Sequence, residues 1–198
     1  MSRLMFQTAI RHPSPYRAAT VCRFFALVLF LFAVGRPLNA EDEKAPHSPE
    51  QLRFSAEDVG VQRPIGIPQD VLAALREDKT VQNVLKSENI TGASLPAEWF
   101  SASQVHLGDA VQKDIVVVGQ PPISGGNVAI FWVFRLTVSG YELVLNVSSH
   151  DLIIRRTRWN GYKEIEAIGA TGLTVSSVLY RFDGNQYRAH KQESSQVP

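Results

Sequence analysis

From Gly92 almost to the C-terminus the apolar positions recur at every second residue. Such alternation turns one set of side chains into a core and leaves the other in water, the signature of strands rather than helices. It predicts strands at about residues 99–107, 113–119, 127–138, 141–148, 151–158, 162–169, 174–182 and 186–191. Between them stand turn residues at Pro121-Pro122, Gly125-Gly126, Ser139-Gly140, Asn160-Gly161 and Asp183-Gly184. Asn160-Gly161 and Asp183-Gly184 suit type I′ hairpin turns, because Asn, Asp and Gly accept positive φ cheaply. Short links make consecutive strands antiparallel neighbours. Trp132, Phe134 and Leu136 share one side of their strand, as do Tyr141, Leu143, Leu145 and Val147 of the next and Tyr180 and Phe182 of a later one, so these rows are the expected core.

Upstream the spacing is helical. Val71, Leu72 and Leu75, then Val81, Val84 and Leu85, fall three and four residues apart, Pro68 and Asp70 suit a helix start, and a break is expected near Asp78 to Thr80. Two short helices or one bent helix satisfy this pattern. Residues 41–66 carry Glu41, Asp42, Glu43, Pro46, Pro49 and Pro64 with few large apolar side chains, which reads as a flexible, solvated leader. The pattern as a whole predicts a single α+β domain over residues 67–192: a small N-terminal helical segment packed on an antiparallel β-meander of seven or eight strands. A two-layer sandwich is the alternative, and residues 193–198 are expected to form a disordered tail.

The start of the chain adds an address. Phe24 to Val34 is an uncharged apolar run, preceded by Arg3, Arg11, Arg17 and Arg23 with no acid and followed by Leu38-Asn39-Ala40. This is the layout of an export signal ending at residue 40, since a spanning helix needs about 20 apolar residues and this run is bounded by Arg23 and Arg36. The expected destination is periplasmic or extracellular, with no stable membrane insertion once the signal is removed. Cys22, the only cysteine, lies before the apolar run, so the mature chain would hold together without disulfides. Removal takes five of the 20 basic residues and leaves 15 against 19 acidic ones, a net charge of −4. A mildly acidic product lacks the basic field that nucleic-acid binding requires, and nucleic acid is not an expected partner.

An internal echo gives the meander further structure. Lys113-Asp114-Ile115-Val116-Val117-Val118-Gly119 returns 50 residues later as Lys163-Glu164-Ile165-Glu166-Ala167-Ile168-Gly169. Each copy leads to an aromatic strand, Trp132-Val133-Phe134 or Tyr180-Arg181-Phe182, and then to a turn and a tyrosine, Tyr141 or Tyr187. Two blade-like units of about four strands explain this economically. The stretch Gly108-Asp109-Ala110-Val111-Gln112-Lys113-Asp114-Ile115-Val116-Val117 resembles the FG-GAP or VCBS type of β-repeat, and Asn160-Gly161-Tyr162-Lys163-Glu164-Ile165 resembles a shortened copy. The ending from Tyr180 to Tyr187, Tyr-x-Phe-Asp-Gly-x-x-Tyr, is similar to that of exported bacterial proteins of unassigned function. The resemblance spans about residues 100–190. The calcium loop of the repeat family needs several carboxylates at alternate positions, and only Asp109 and Asp114 remain in one copy and Glu164 in the other, so calcium is not carried over.

Catalytic motifs are scarce. The chain has no Gly-x-Ser-x-Gly, His-Glu-x-x-His, P-loop, dinucleotide fingerprint or Cys-x-x-Cys. His106 with Asp109 and Asp114 is the one spacing that could gather metal ligands, although a polar turn before a buried strand explains it better. His150-Asp151 could form half of an acid-base pair, but neighbours in a regular strand point to opposite faces and would not meet. Arg155, Arg156 and Arg158 run into Trp159, Tyr162 and Lys163 at a hairpin tip, where guanidinium groups and aromatics suit carboxylates, phosphates or stacking partners. The expected function is therefore that of an exported, non-catalytic binding domain without cofactor or metal, contacting a protein or envelope polymer through Arg156, Arg158, Trp159 and Tyr162. The alternative is a hydrolase of unfamiliar type using His106 or His150 with nearby carboxylates.

Overall fold

The computed structural model describes residues 51–58, 61–90, 95–108 and 111–196. The segment expected to be an export signal and residues 41–50 of the expected leader lie outside the described residues, as does Asp109. In chain order the elements are β1 (Leu52–Ser55), β2 (Pro64–Ile65), α1 (Gln69–Glu77), α2 (Lys79–Ser87), β3 (Phe100–Val105), β4 (Asp114–Gly119), β5 (Ala129–Thr137), β6 (Gly140–Ser149), β7 (Asp151–Trp159), β8 (Tyr162–Thr171), β9 (Thr174–Phe182) and β10 (Tyr187–Gln196). The architecture is mostly antiparallel sheet with two helices, broadly α+β. Two five-stranded sheets have the orders β2-β3-β4-β5-β6 and β1-β7-β8-β9-β10. Each is a four-strand meander in chain order, extended at its first edge by a short strand from nearer the N-terminus.

β3 to β10 coincide within a few residues with the eight alternating tracts, and β1 and β2 raise the strand count to ten rather than seven or eight. Both extra strands come from the segment expected to be a flexible leader. The reason is local: Leu52 and Phe54 alternate with Arg53 and Ser55, so four residues pairing with Asp151 to Ile154 of β7 bury two large side chains. A composition averaged over 26 residues hides so short a pattern. The tail differs as well, because β10 continues to Gln196, which pairs with Thr174. Beyond Tyr187 its side chains are exposed, so backbone ladder bonds rather than burial hold it, and hydropathy carries no sign of that.

The core has two parts. Leu52, Phe54, Leu152, Ile154, Ile165 and Phe182 of one sheet meet Val116, Val118, Phe131 and Val133 of the other. The opposite faces of β4 and β5 carry Ile115, Val117, Trp132 and Phe134, which cluster with Val71 and Leu75 of α1 and Val81 of α2. These two strands are thus buried on both faces, which is why the Ile115 to Val118 run is continuous rather than alternating. Burying each of these aliphatic side chains contributes roughly 1.5–3 kcal/mol.

The row from Tyr141 to Val147 is corrected by a bulge. Val133 pairs with Leu145 and Phe134 with Leu143, which leaves Val144 as an extra residue in β6. One inserted residue flips every later side chain. Val144, Leu145 and Val147 therefore join the inter-sheet core while Tyr141 packs with the helix-side cluster, and Leu143 is 43% exposed.

Two buried or half-buried carboxylates tie separate segments of the chain together. Asp114, fully buried, accepts from the backbone N–H of Leu107 at 2.8 Å and of Leu136 at 3.0 Å. Asp78, between the helices, caps α2 by accepting from Thr80 N at 2.8 Å and Val81 N at 3.3 Å, while its second oxygen accepts from Trp132 Nε1 at 3.1 Å and Asn146 Nδ2 at 2.7 Å. The same kind of contact recurs within each meander. Tyr141 Oη donates to Lys113 O at 3.1 Å and Tyr187 Oη to Lys163 O at 2.8 Å, so each fourth strand is tied to the segment opening its own second strand.

Candidate functional site

The β7–β8 hairpin turns at Asn160 and Gly161, with φ of 49° and 82°, as a type I′ turn requires. Before it β7 is irregular: Ile154 pairs with Ile165 and Arg158 with Lys163, so Arg155, Arg156 and Thr157 stand opposite Glu164 alone. This wide insertion changes where the basic side chains point. Arg155 lies 3.4 Å from Glu166, and Arg156 is exposed.

The four expected contact residues do not act alike. Arg158 Nη1 donates to the carbonyls of Gly108, at 3.0 Å, and Gly161, at 2.6 Å, so it clamps the loop after β3 to the hairpin. Tyr162 lies against Phe182 with ring centroids 4.4 Å apart, and Phe182 in turn touches Tyr187 at 5.4 Å. Trp159 is the outward member, 46% exposed. Its ring carries the Arg181 guanidinium 4.4 Å from its centroid and a nearly parallel His190 ring at 6.5 Å and 17°.

Arg181 and His190 were not legible as neighbours of Trp159. The Asp183-Gly184 turn could have placed β10 beside β9, but not His190, which is the extra residue of a second bulge between Ala189 and Lys191. Arg181 Nη1 donates to His190 Nε2 at 2.6 Å and its Nε to Glu164 Oε1 at 2.6 Å. A hydrogen bond from Thr157, then the Arg181 charge, hold the Glu164 carboxyl below the usual range against its burial. Around Trp159 the residues Arg181, Phe182, Asp183, Arg188, Ala189 and His190 line a shallow hollow of about 200 Å³.

The histidines stand elsewhere. His106 Nδ1 donates to the Gln112 carbonyl at 2.6 Å, and Asp114 is committed to two backbone N–H groups. Among the described residues no group of three or more His, Cys, Asp or Glu is placed to hold a metal ion, and no helix is long and apolar enough to cross a membrane.

His150 and Asp151 do meet, contrary to expectation: His150 Nδ1 lies 3.2 Å from Asp151 Oδ2. His150 is a bend between β6 and β7 rather than a strand residue, its N–H bonded to Ile168 O and its carbonyl to Ala56 N, so strand alternation does not apply to it. The same Asp151 oxygen accepts from Arg53 Nη2 at 2.7 Å, and His150 Nε2 faces Glu57 Oε1 at 3.3 Å. Both ring nitrogens therefore face carboxylates, and neither addresses a nucleophile as general-base chemistry requires.

These contacts make a pH prediction. Hydrogen bonding to Asp151 raises the His150 value above its ordinary 6.5. Burial pushes the Asp151 carboxyl up, but bonds from Arg53, Ser55 and His150 outweigh it and leave the group below its ordinary 3.8. A raised imidazole stabilises the fold fully below its unfolded value, and that contribution is lost as pH rises through the folded value; a depressed carboxyl behaves oppositely, losing its contribution as pH falls through the folded value. The melting-temperature gap between the wild type and His150→Asn should therefore be widest at mildly acid pH, below the ordinary imidazole value, and narrow as pH rises above it. A gap that widens with alkalinity would contradict the pairing.

Comparison of the chain with known proteins found no matching family, no matching curated protein and no matching solved structure.

Proposed function

We propose that this chain is an exported, non-catalytic binding domain that meets a protein or envelope polymer with the β7–β8 hairpin. The observation that carries the reading is Trp159, a large aromatic held at the surface by Arg181 and His190 instead of being buried. Tryptophan and arginine dominate binding energy at interfaces, and a pre-positioned ring loses little freedom on contact. Arg156 extends the surface, while Arg158 and Tyr162 set the hairpin's shape. The hydrolase alternative is the weaker one, because His106 is tied to a carbonyl and His150 lies between two carboxylates. Export rests on the sequence of residues 1–40, and a mature N-terminus at Glu41 in the exported fraction is the result expected.

The two meanders are best read as copies of one blade-like unit of the FG-GAP type, with the helical segment as a cap. Support comes from the echoed segments, which supply the second strand of each meander, and from the matching Tyr141 and Tyr187 bonds to Lys113 and Lys163.

The hairpin reading is tested by the full chain binding to an isolated envelope fraction. Trp159→Ala and Arg156→Ala should each weaken binding about tenfold, with melting temperatures within about 3 °C of wild type, as expected of exposed positions. His106→Ala and His150→Ala should bind as wild type does. Loss of binding in the histidine variants alone would reverse the assignment.

A further inference from the structure

We propose that the hollow beside Trp159 is a subsite for an anionic sugar, a pyranose ring bearing a carboxylate. The inference rests on the hairpin reading and deepens it by naming a ligand class. At about 200 Å³ the hollow is smaller than drug-sized pockets of roughly 300–1,000 Å³, and it suits one ring of a polymer rather than an enclosed metabolite. Trp159, 46% exposed, lines the hollow with a flat apolar ring of the kind on which the C–H side of a pyranose lies. Arg181 and His190 hold that ring in place before any ligand arrives.

The rim offers donors and one acceptor. Arg181 has only donors, so His190 Nε2 must accept from it and the ring proton sits on Nδ1, which is left as a donor on an exposed residue. Arg188, its side chain 65% exposed, adds a guanidinium whose charge can pair with a carboxylate. Asp183 accepts from Asn185 N and Gln186 N at 2.9 Å and from Arg188 at 3.2 Å, and its exposed part can accept sugar hydroxyls. A carboxylate at that position opposes phosphate-dense polymers and suits a ligand with many hydroxyls and one charge.

The balance of charge favours an anion. Among the residues lining the hollow the guanidinium groups of Arg181 and Arg188 outnumber the single carboxylate of Asp183, and Glu164, which pairs with Arg181, stands outside that lining.

Tryptophan emission reports on the subsite, because Trp132 and Trp99 are 0% and 8% exposed and Trp159 is the accessible ring. Oligogalacturonate titrated into the full chain should change that emission saturably, with affinity falling as salt rises, and neutral oligogalactose of equal length should not. Arg188→Ala should weaken binding about tenfold at unchanged melting temperature, and calorimetry on Trp159→Ala should show none. Equal binding of the neutral sugar, or unaltered affinity in Arg188→Ala, overturns the anionic-sugar assignment. If oligogalacturonate gives no saturable change while Trp159→Ala still loses the envelope fraction, the sugar class falls and the hairpin contact stands. If Trp159→Ala also retains that fraction, both fall.

Discussion

Replacing Asp114 by Ala should destabilise the full chain by about 3–5 kcal/mol, since each buried backbone N–H left without an acceptor costs about 1–3 kcal/mol. The carboxylate is fully buried and receives Leu107 N and Leu136 N, one from the loop after β3 and one from β5. Asp114→Asn separates geometry from charge. Its single carbonyl oxygen satisfies one N–H, but its amide would point a donor at the other, so the loss should fall between wild type and Ala. The measurement is the denaturant midpoint at unchanged slope, which isolates stability from changes in the unfolded chain. A loss below about 1 kcal/mol in Asp114→Ala would mean that the two N–H groups find other partners.

Asp114 also shows where sequence reasoning reaches and where it stops. In the sequence it stands as a polar residue opening an apolar run, and in the family resemblance as a remnant of a calcium loop. The structure places it as an internal tie between two segments 29 residues apart, Leu107 and Leu136. Periodicity finds residues whose role is set by burial, because burial repeats along an element: Trp132, Phe134, Phe182, Val71 and Leu75 are all core as their spacing implies. Turn chemistry is equally local, and Asn160-Gly161 behaves as its backbone preferences dictate. What depends on one inserted residue leaves no periodic trace. Val144 shifts a row of β6, His190 turns towards Trp159, and the bend at His150 lets it reach Asp151. The candidate site suffered most from this, since Trp159 was visible as an aromatic among arginines but its actual neighbours arrive from β9 and β10.

Asp78→Ala should cost about 2–4 kcal/mol, because it removes a helix cap worth about 1 kcal/mol and strands the buried Trp132 indole N–H at about 1–3 kcal/mol. The Asn146 amide loses a partner too, but it is exposed and water replaces the bond. The two contributions can be separated by length. Serine caps helices nearly as well as Asp, yet its hydroxyl is too short to hold the α2 N-terminus and Trp132 Nε1 together. Asp78→Ser should therefore recover only the cap. In a Trp132→Phe background no indole N–H remains to be stranded, so Asp78→Ser should cost markedly less there than in the wild type. That difference, read from a double-mutant cycle, is the coupling between helix cap and sheet core, expected at about 1–2 kcal/mol for groups in direct contact. A coupling near zero would show that Asp78 serves α2 alone and that the helices are held to β5 by apolar burial without a polar tie.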